Sequence, residues 1–299
     1  QLGRKITIPE LMHRKNSVVA ERVDDILDTY KERGIDYVFG KARFKTPHEL
    51  SVDCTGSDQV VSIKAEKFII AVGTNPYHPP DVQFDDRYIL DSDTILGLDR
   101  IPESLAIIGG GVIGCEYASI FCRLGTQVFL IDMRGALLDF CDHDISKAVA
   151  HQMREEGIVL CLGCKYEKVE VLDDWVHVTL DSGDVIKASA LLFANGRQGM
   201  ADQLGLEVCG LEINSRNQLE VDQNYRTKVP HIYAIGDVIG FPSLVSVSNE
   251  EGRMAAHSAV LGETTRRVGS DIPFGIYTIP EISMIGPTEK ELIEQGIPY

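Results

Sequence analysis

One stretch constrains the fold of this chain more than any other: SLAIIGGGVIGCEYASIFCRLGTQVFLIDMR, residues 104–134. It reads as strand, glycine turn, helix, strand, a βαβ unit of about 30 residues. Gly109, Gly111 and Gly114 supply G-x-G-x-x-G. The pattern is weak by itself. It gains meaning here because LAII precedes it and VIGCEYASIF carries on from it, the strand–turn–helix context that the motif requires. Gly109 permits the tight turn, Gly111 lets a pyrophosphate approach the backbone, and Gly114 allows helix and strand to pack closely. The helix start at Val112 and Ile113 presents N–H groups and a partial positive charge to phosphates. The second strand ends in Asp132, where an acidic residue accepts hydrogen bonds from an adenosine ribose. A glycine-rich turn followed by a solvated Asp is the plainer alternative. Asp132 favours NAD, because a carboxylate repels a 2′-phosphate. Arg134, two residues on, is able to hold such a phosphate in a bidentate manner, or is a solvated loop charge. NAD and NADP both stay open.

The 299 residues amount to about two domains. Apolar residues make up 44% and charged residues 25%, so the chain is an ordinary globular sequence rather than a disordered one. Lys and Arg total 29 against 45 Asp and Glu, a net charge of −16. Such a surface repels phosphate backbones and anionic lipid headgroups, which argues against nucleic acid and membrane as partners while leaving room for a local cationic pocket. No apolar run reaches the roughly 18 residues of a spanning helix, and QLGRKITIPE lacks the parts of a secretory signal. The chain starts at Gln1 rather than Met, as a processed product or a piece of a longer protein would. Seven cysteines, odd in number and scattered from Cys54 to Cys209, make a poor disulfide framework and fit a reducing, cytoplasmic compartment.

The apolar spacing predicts a helix over 10–33, stopped by Gly34, with its stripe (Leu11, Val18, Val19, Val23, Ile26, Leu27, Tyr30) buried against its own domain in preference to the alternative, a partner-binding face. Strand signals follow in DYVFG, KARF, ELSVDC and VVSIK, with TGSDQ as a hairpin turn. KFIIAVG is continuously apolar, like a strand buried on both faces. Beyond the βαβ unit, ISKAVAHQMREEG predicts a helix. YEKVEVL, WVHVTL and VIKASALLFANG predict a β-meander, LEVD and HIYAIGD two short strands, and 249–261 a helix. The register of DIPFGIYTIPEISMIG is not fixed by pattern.

TKVPHIYAIGD ends an apolar strand in Gly236-Asp237. Ligands of α/β folds bind at the carboxyl ends of strands. Gly236 would allow close approach and Asp237 could bond a polyol, although a strand end with an Asp turn reads equally well. Resemblance adds to this. TKVPHIYAIGD is similar to the second flavin-binding signature of the two-dinucleotide-fold flavoprotein disulfide reductase superfamily. IIAVGTNP looks like the strand between its FAD and NAD(P) portions, FANGR like the loop bordering its NAD(P) pocket, and PSLVSVSNEEGRMAA like the segment passing beside the isoalloxazine. IGCEYASIF, DSDTIL, GDVIGFPSL and GIYTIPEIS resemble the pyridine nucleotide transhydrogenase branch.

The resemblance covers about residues 66–299 and implies an α/β two-dinucleotide-binding-domain flavoprotein fold: three layers, a parallel sheet with a β-meander, and an incomplete FAD domain. Residues 1–96 and 226–268 would belong to the FAD domain, 97–225 to the NAD(P) domain, and 269–299 to the start of an interface domain. No glycine motif for the ADP part of FAD occurs before residue 100, so the chain resembles an internal stretch of a longer protein. Carried over, Ala71 and Gly73 would lie near the FAD adenosine, and Asp237 would bind its ribityl chain, with Gly236 allowing close approach. Asn195 and Gly196 would border the nicotinamide nucleotide, with Glu116 near the ring. The implied activity is hydride transfer between NADPH and NAD through FAD, of the Si-specific transhydrogenase type, by a homodimer and with no side chain acting as catalyst. A dihydrolipoamide dehydrogenase-like disulfide reductase, or a non-catalytic NAD(P)-binding module, are the rival readings.

Other signals carry less. Cys161-Leu-Gly-Cys164 lies in an apolar run rather than beside a cation or helix start, so it reads as core. No second CxxC or HExxH spacing supports a metal, and no G-x-S-x-G supports a hydrolase. The sequence predicts that Asp132→Ala weakens NAD binding more than NADP binding. Titration with both coenzymes checks this, and equal losses would count against the ribose role.

Overall fold

A computed structural model describes residues 7–263, 269 and 271–299. The opening residues 1–6 and the expected junction after residue 268 lie outside that range. In chain order the elements are α1 (Ile8–Glu32), β1 (Gly40–Thr46), β2 (Glu49–Cys54), β3 (Val60–Lys64), β4 (Phe68–Ile70), β5 (Thr74–Pro76) and β6 (Ile89–Asp91). Next come β7 (Ser104–Ile108), α2 (Val112–Arg123), β8 (Gln127–Asp132), α3 (His143–Glu155), β9 (Val159–Leu162), β10 (Tyr166–Leu172), β11 (Trp175–Leu180) and β12 (Val185–Ala188). The remainder are β13 (Ala190–Phe193), β14 (Arg197–Gly199), β15 (Ile232–Ala234), α4 (Val245–Leu261), β16 (Phe274–Ile276), β17 (Ile282–Met284) and α5 (Glu289–Gln295). The chain forms two compact units, with change-overs at 22/23, 75/76, 196/197 and 272/273. The sequence reading places its boundaries at 96/97, 225/226 and 268/269.

The first unit is built on a five-stranded parallel sheet in the order β6-β13-β7-β8-β9. Between their ends its strands are apolar, because both faces are covered. Leu105, Ile107, Leu130 and Leu192 point to one face, where they pack with Cys115, Ala118, Val149 and Met153 of α2 and α3. Ala106, Ile108, Leu191 and Phe193 point to the other, against Val176, Val178 and Leu180 of the antiparallel meander β10-β11-β12. Strand β11 shows the half-buried period of two, with Val176, Val178 and Leu180 inside. Helices, sheet and meander thus make three layers, as the family resemblance implies.

VIKASALLFANG is two strands rather than one. The break falls at Ser189, where the chain leaves the meander for the parallel sheet. Ser189 N–H donates to Ser104 Oγ (2.9 Å), Ser104 N–H donates to Ser189 Oγ (3.0 Å), and Ser189 Oγ–H donates to the Ser104 carbonyl (2.7 Å). These bonds clamp the amino ends of β7 and β13. The undetermined segment near the end is a hairpin, Phe274 paired with Met284 and Ile276 with Ile282.

The second unit holds the antiparallel sheet β1-β2-β3, with the expected turn between Cys54 and Val60. It also holds the parallel pair β4·β15. Phe44, Phe68, Ile70, Leu204, Ile232 and Val238 form its core. KFIIAVG departs from expectation. Only Phe68–Ile70 is strand, and Ile69 is 42% exposed, because among the described residues β4 pairs with β15 alone and is packed on one face. LEVD forms no strand; Asp222 instead caps a turn, accepting from the N–H of Asn224 and Arg226. Helix α4 begins at Val245, four residues before the predicted start.

Helix α1 forms as predicted and ends at Gly34, whose φ is +63°. Its stripe does not bury: only Ile8 does, and Val18, Val19, Val23, Ile26 and Leu27 stay exposed. No described helix is long and apolar enough to cross a membrane.

An ideal Cβ on Gly114 would stand 1.8 Å from the Gly109 carbonyl oxygen. Gly114→Ala is therefore expected to lower stability by about 2–3 kcal/mol through overpacking. Urea denaturation checks this, and an unchanged midpoint would show that α2 does not lie that close to the turn.

Candidate functional site

The parallel order β6-β13-β7-β8-β9 reverses direction between β7 and β13, the place where open α/β sheets take their ligands. Two turns meet there. Gly109–Gly111 follows β7, and Ala194-Asn195-Gly196 follows β13. The Asn195 side chain and the Ala194 carbonyl lie so close to Gly109 (2.8 and 2.5 Å from an ideal Cβ) that no other residue fits, and Gly109 also has a φ of +116°. Asn195 and Gly196 are exposed beside the glycine turn, and the Gly196 carbonyl accepts from Tyr77 N–H (3.0 Å). Sequence-predicted residues far apart in the chain are thus brought together.

Gly111 differs from its neighbours. A Cβ there would meet nothing within 4 Å, and its backbone is extended (φ −81°, ψ −169°). Nothing among the described residues requires glycine at this position. Gly111 also caps α2 without a side-chain hydrogen bond, so the first-turn amides, those of Val112 and Ile113 included, face outward as helix starts do. Open space, amides and the positive dipole end coincide, which is a cradle for an anion.

Asp132 lies under this turn rather than beside it. Its Oδ2 accepts from Gly110 N–H (2.5 Å) and from Arg134 Nη2 (2.7 Å), and its Oδ1 accepts from Arg134 Nε (2.9 Å) and Arg134 N–H (2.7 Å). Burial opposes ionisation of Asp132, but the bonds from Arg134 and Gly110 outweigh it and hold the carboxyl below its usual range. Arg134 is neither free nor simply solvated, since its Nη1 also bonds Asp139 (2.6 Å). Asp132→Ala would therefore combine a loosened turn with any lost ribose contact, and the simple NAD-over-NADP contrast expected from sequence no longer isolates one effect. Glu116, half-buried on α2, accepts from Tyr277 N–H (2.8 Å) and so ties the helix to the end of β16.

In the second unit, β4 and β15 end side by side, with Ile70 paired to Ala234. Ala71 and Gly73 therefore follow one strand end, and Gly236 and Asp237 the other. Gly236 has a φ of +71°, and Gly73 has a φ of +72° with open space around its missing Cβ. Asp237 Oδ2 accepts from Thr74 Oγ (3.2 Å), and Thr74 Oγ accepts from Arg197 Nε (2.9 Å). Glu251 of α4, buried, accepts from Gly236 N–H (2.7 Å). Burial, and then the nearby charge of Asp237, raise its pKa against the pull of that N–H.

Asp139, Thr74, Arg197 and Glu251 were not singled out from sequence. Glu251 was detectable: it shares the buried stripe of α4 with Val247, Met254, Ala255 and Ser258 at helical spacing, and a carboxylate on such a stripe calls for a partner. Asp139 lies in a loop that carries no pattern.

Five of the cysteines are held toward the unreactive thiol form by their environment. Burial pushes Cys115 up to about 12 and raises Cys122, Cys141, Cys161 and Cys209. Among the described residues, no group of three or more His, Cys, Asp or Glu is arranged to hold a metal.

A model of the pyridine nucleotide-disulphide oxidoreductase family matches residues 3–259. The chain belongs to that family of oxidoreductases. Among curated relatives, it is 47% identical over 296 residues to the soluble pyridine nucleotide transhydrogenase of Chromohalobacter salexigens, covering 99% of this chain and 63% of that one. It is 44% identical over 290 residues to the enzyme of the same name in Escherichia coli, covering 97% and 62%. Among solved structures, LpdA from Mycobacterium tuberculosis superposes with a TM-score of 0.90 at 26% identity, over 98% of this chain and 65% of that one. The HOCl-induced flavoprotein disulfide reductase RclA of Escherichia coli gives 0.87 at 29%, over 95% and 65%. The chain thus spans about 63% of the length of the curated relatives it matches.

The depressed Asp132 pKa fixes a pH dependence. A carboxyl held below its unfolded value stabilises the fold above about pH 4 and loses that effect as pH falls through its folded value. Asp132→Asn is expected to be about 1–3 kcal/mol less stable than the parent at pH 7. The gap should close as pH falls below about 4. Urea midpoints across this range check it, and a gap independent of pH would remove Asp132 as the ionised anchor of the turn.

Proposed function

We propose that the whole protein is an FAD-dependent oxidoreductase that passes hydride from NADPH to NAD, an NAD(P)+ transhydrogenase of the Si-specific type. The observation that carries this reading is Gly111: a glycine with no internal reason to be one, facing open space at the start of α2 and beside Asn195. The names of the relatives, at 44–47% identity, support the choice of reaction.

The fit to the groups involved rests on this chain's own residues. The Gly109–Gly114 turn with Val112 and Ile113 would hold the diphosphate of NAD or NADP through main-chain amides. Asp132 and Arg134 would face the adenosine end, and Asn195, Gly196 and Glu116 the nicotinamide end. In the second unit, Gly73 leaves room for a ligand that a Cβ would crowd, and Ala71, Gly236 and Asp237 line the same pair of strand ends. They would hold part of FAD, with Asp237 positioned by Thr74 and Gly236 by Glu251. When bound, FAD supplies the two-electron carrier between the two coenzymes. The protein's share is to bind and orient, so no side chain is assigned as acid, base or nucleophile. Homodimer formation through the remainder of the chain and a cytoplasmic location belong to the same proposal. Seven free cysteines support the latter.

The test uses the full-length protein. It is expected to carry flavin, to reduce thio-NAD+ with NADPH, and to leave lipoamide untouched with NADH. Lipoamide reduction would favour the dihydrolipoamide dehydrogenase-like reading, and nucleotide binding without flavin the binding-module reading. Gly111→Ala is expected to change stability by less than about 0.5 kcal/mol. Its affinity for both coenzymes should fall about tenfold or more, because the methyl group occupies the approach to the amides. Calorimetry and urea denaturation together check it, and unchanged binding would refute the cradle.

A further inference from the structure

Arg134 stands between two carboxylates that differ in how firmly they are placed. Asp132 is buried, bonded twice by the guanidinium and also engaged by Gly110 N–H, so it is part of the turn. Asp139 is an exposed residue of the loop that follows, its side chain 52% accessible, and bonds Nη1 at 2.6 Å. Arg134 is itself 41% accessible. Of its five N–H groups, three are engaged by these two acids.

We propose that Asp139 is a specificity-determining residue: it competes with the 2′-phosphate of NADP(H) for Arg134 and thereby tilts the site toward NAD(H). The inference rests on the reading of the Gly109–Gly114 turn as a coenzyme site and deepens it. A phosphate arriving at Arg134 meets one cation flanked by two anions, a cluster of net charge −1. It must either bind the two remaining N–H groups against that repulsion or displace a carboxylate. Asp132 cannot leave without releasing Gly110. Asp139 can, because an exposed ion pair is worth little and its acid is readily solvated, whereas an arginine–phosphate pair is strong and bidentate. Arg134 then has two partners in alternation: Asp139 when the coenzyme lacks the 2′-phosphate, and the phosphate when it is present. A single pocket that must accept NADPH and then NAD is served by such an exchange, since Arg134 Nη1 keeps an anionic partner with either coenzyme while Asp132 stays in place.

The experiment titrates the full-length protein, its Asp139→Asn and Asp139→Ala variants, and Arg134→Gln with and without Asp139→Asn. The probes are NAD+, NADP+, 5′-AMP and 2′-AMP. Asp139 is exposed, so both of its variants should fold. Expected are a tightening of NADP+ and 2′-AMP by about three- to tenfold in either Asp139 variant, and NAD+ and 5′-AMP within about twofold of the parent. The gain should shrink at about 0.5 M salt, where exposed charges are screened. In the Arg134→Gln background, Asp139→Asn should bring no gain specific to the 2′-phosphate, because the competition has lost its object. Unchanged NADP+ affinity while NAD+ binds normally would overturn the role of Asp139 alone. Equal tightening of all four probes would do the same, by reducing the effect to general charge. Failure of the parent protein to bind either coenzyme would overturn the coenzyme-site reading and this inference with it.

Discussion

The bond from Gly110 N–H to the buried Asp132 carboxylate is the interaction on which the first unit's site depends. A turn of three glycines has little intrinsic reason to keep one shape, since glycine loses more conformational freedom on ordering than any other residue. Here the turn is held on several sides. Asp132 pulls on Gly110 from the end of the neighbouring strand, Ala194 and Asn195 crowd Gly109, and α2 presses Gly114 against the Gly109 carbonyl. Leu137 closes over Gly110, 2.7 Å from where a Cβ would stand, and Leu138 N–H donates to the Gly110 carbonyl at 3.0 Å. Held in this way, the amides at the start of α2 are ordered before any ligand arrives, and pre-ordering lowers what binding must spend in entropy.

The same carboxylate sets the electrostatics. Ionised because Arg134 and Gly110 bond it, Asp132 in turn fixes Arg134 at the mouth of the site. Under the proposed coenzyme reading, the guanidinium's geometry, rather than its mere presence, would distinguish an adenosine bearing a phosphate from one that does not. In the second unit the arrangement repeats with different residues: a left-handed glycine, Gly236, has its N–H held by a buried carboxylate, Glu251. Two strand ends carry backbone N–H groups tied down by acids, one acid balanced by a cation and the other by none among its bonded neighbours.

Much of this is legible in the sequence because it is local. The glycine motif, the strand that enters it and the helix that leaves it lie within about 30 residues, and the strict alternation of β11 and the unbroken apolar run of β7 report directly on one or two covered faces. What was not readable depends on distant partners. Ser189 interrupts a run that looks like one strand, and only its bonds to Ser104, 85 positions away, show why. KFIIAVG has the composition of a doubly covered strand, yet β4 has one described neighbour. The stripe on α1 has helical spacing, and spacing says nothing about what covers it. Arg134 was ambiguous because both of its sequence readings omitted an acid five residues downstream.

The serine clamp at the amino ends of β7 and β13 has a bearing on how such a scaffold diversifies. Strand register is pinned at the amino edge of the sheet by Ser104 and Ser189, apart from the loops at the carboxyl edge that carry the glycine turn and Asn195. Substitutions in those loops need not slide one strand past the next, so under the proposed coenzyme reading a change of preference is open to single substitutions.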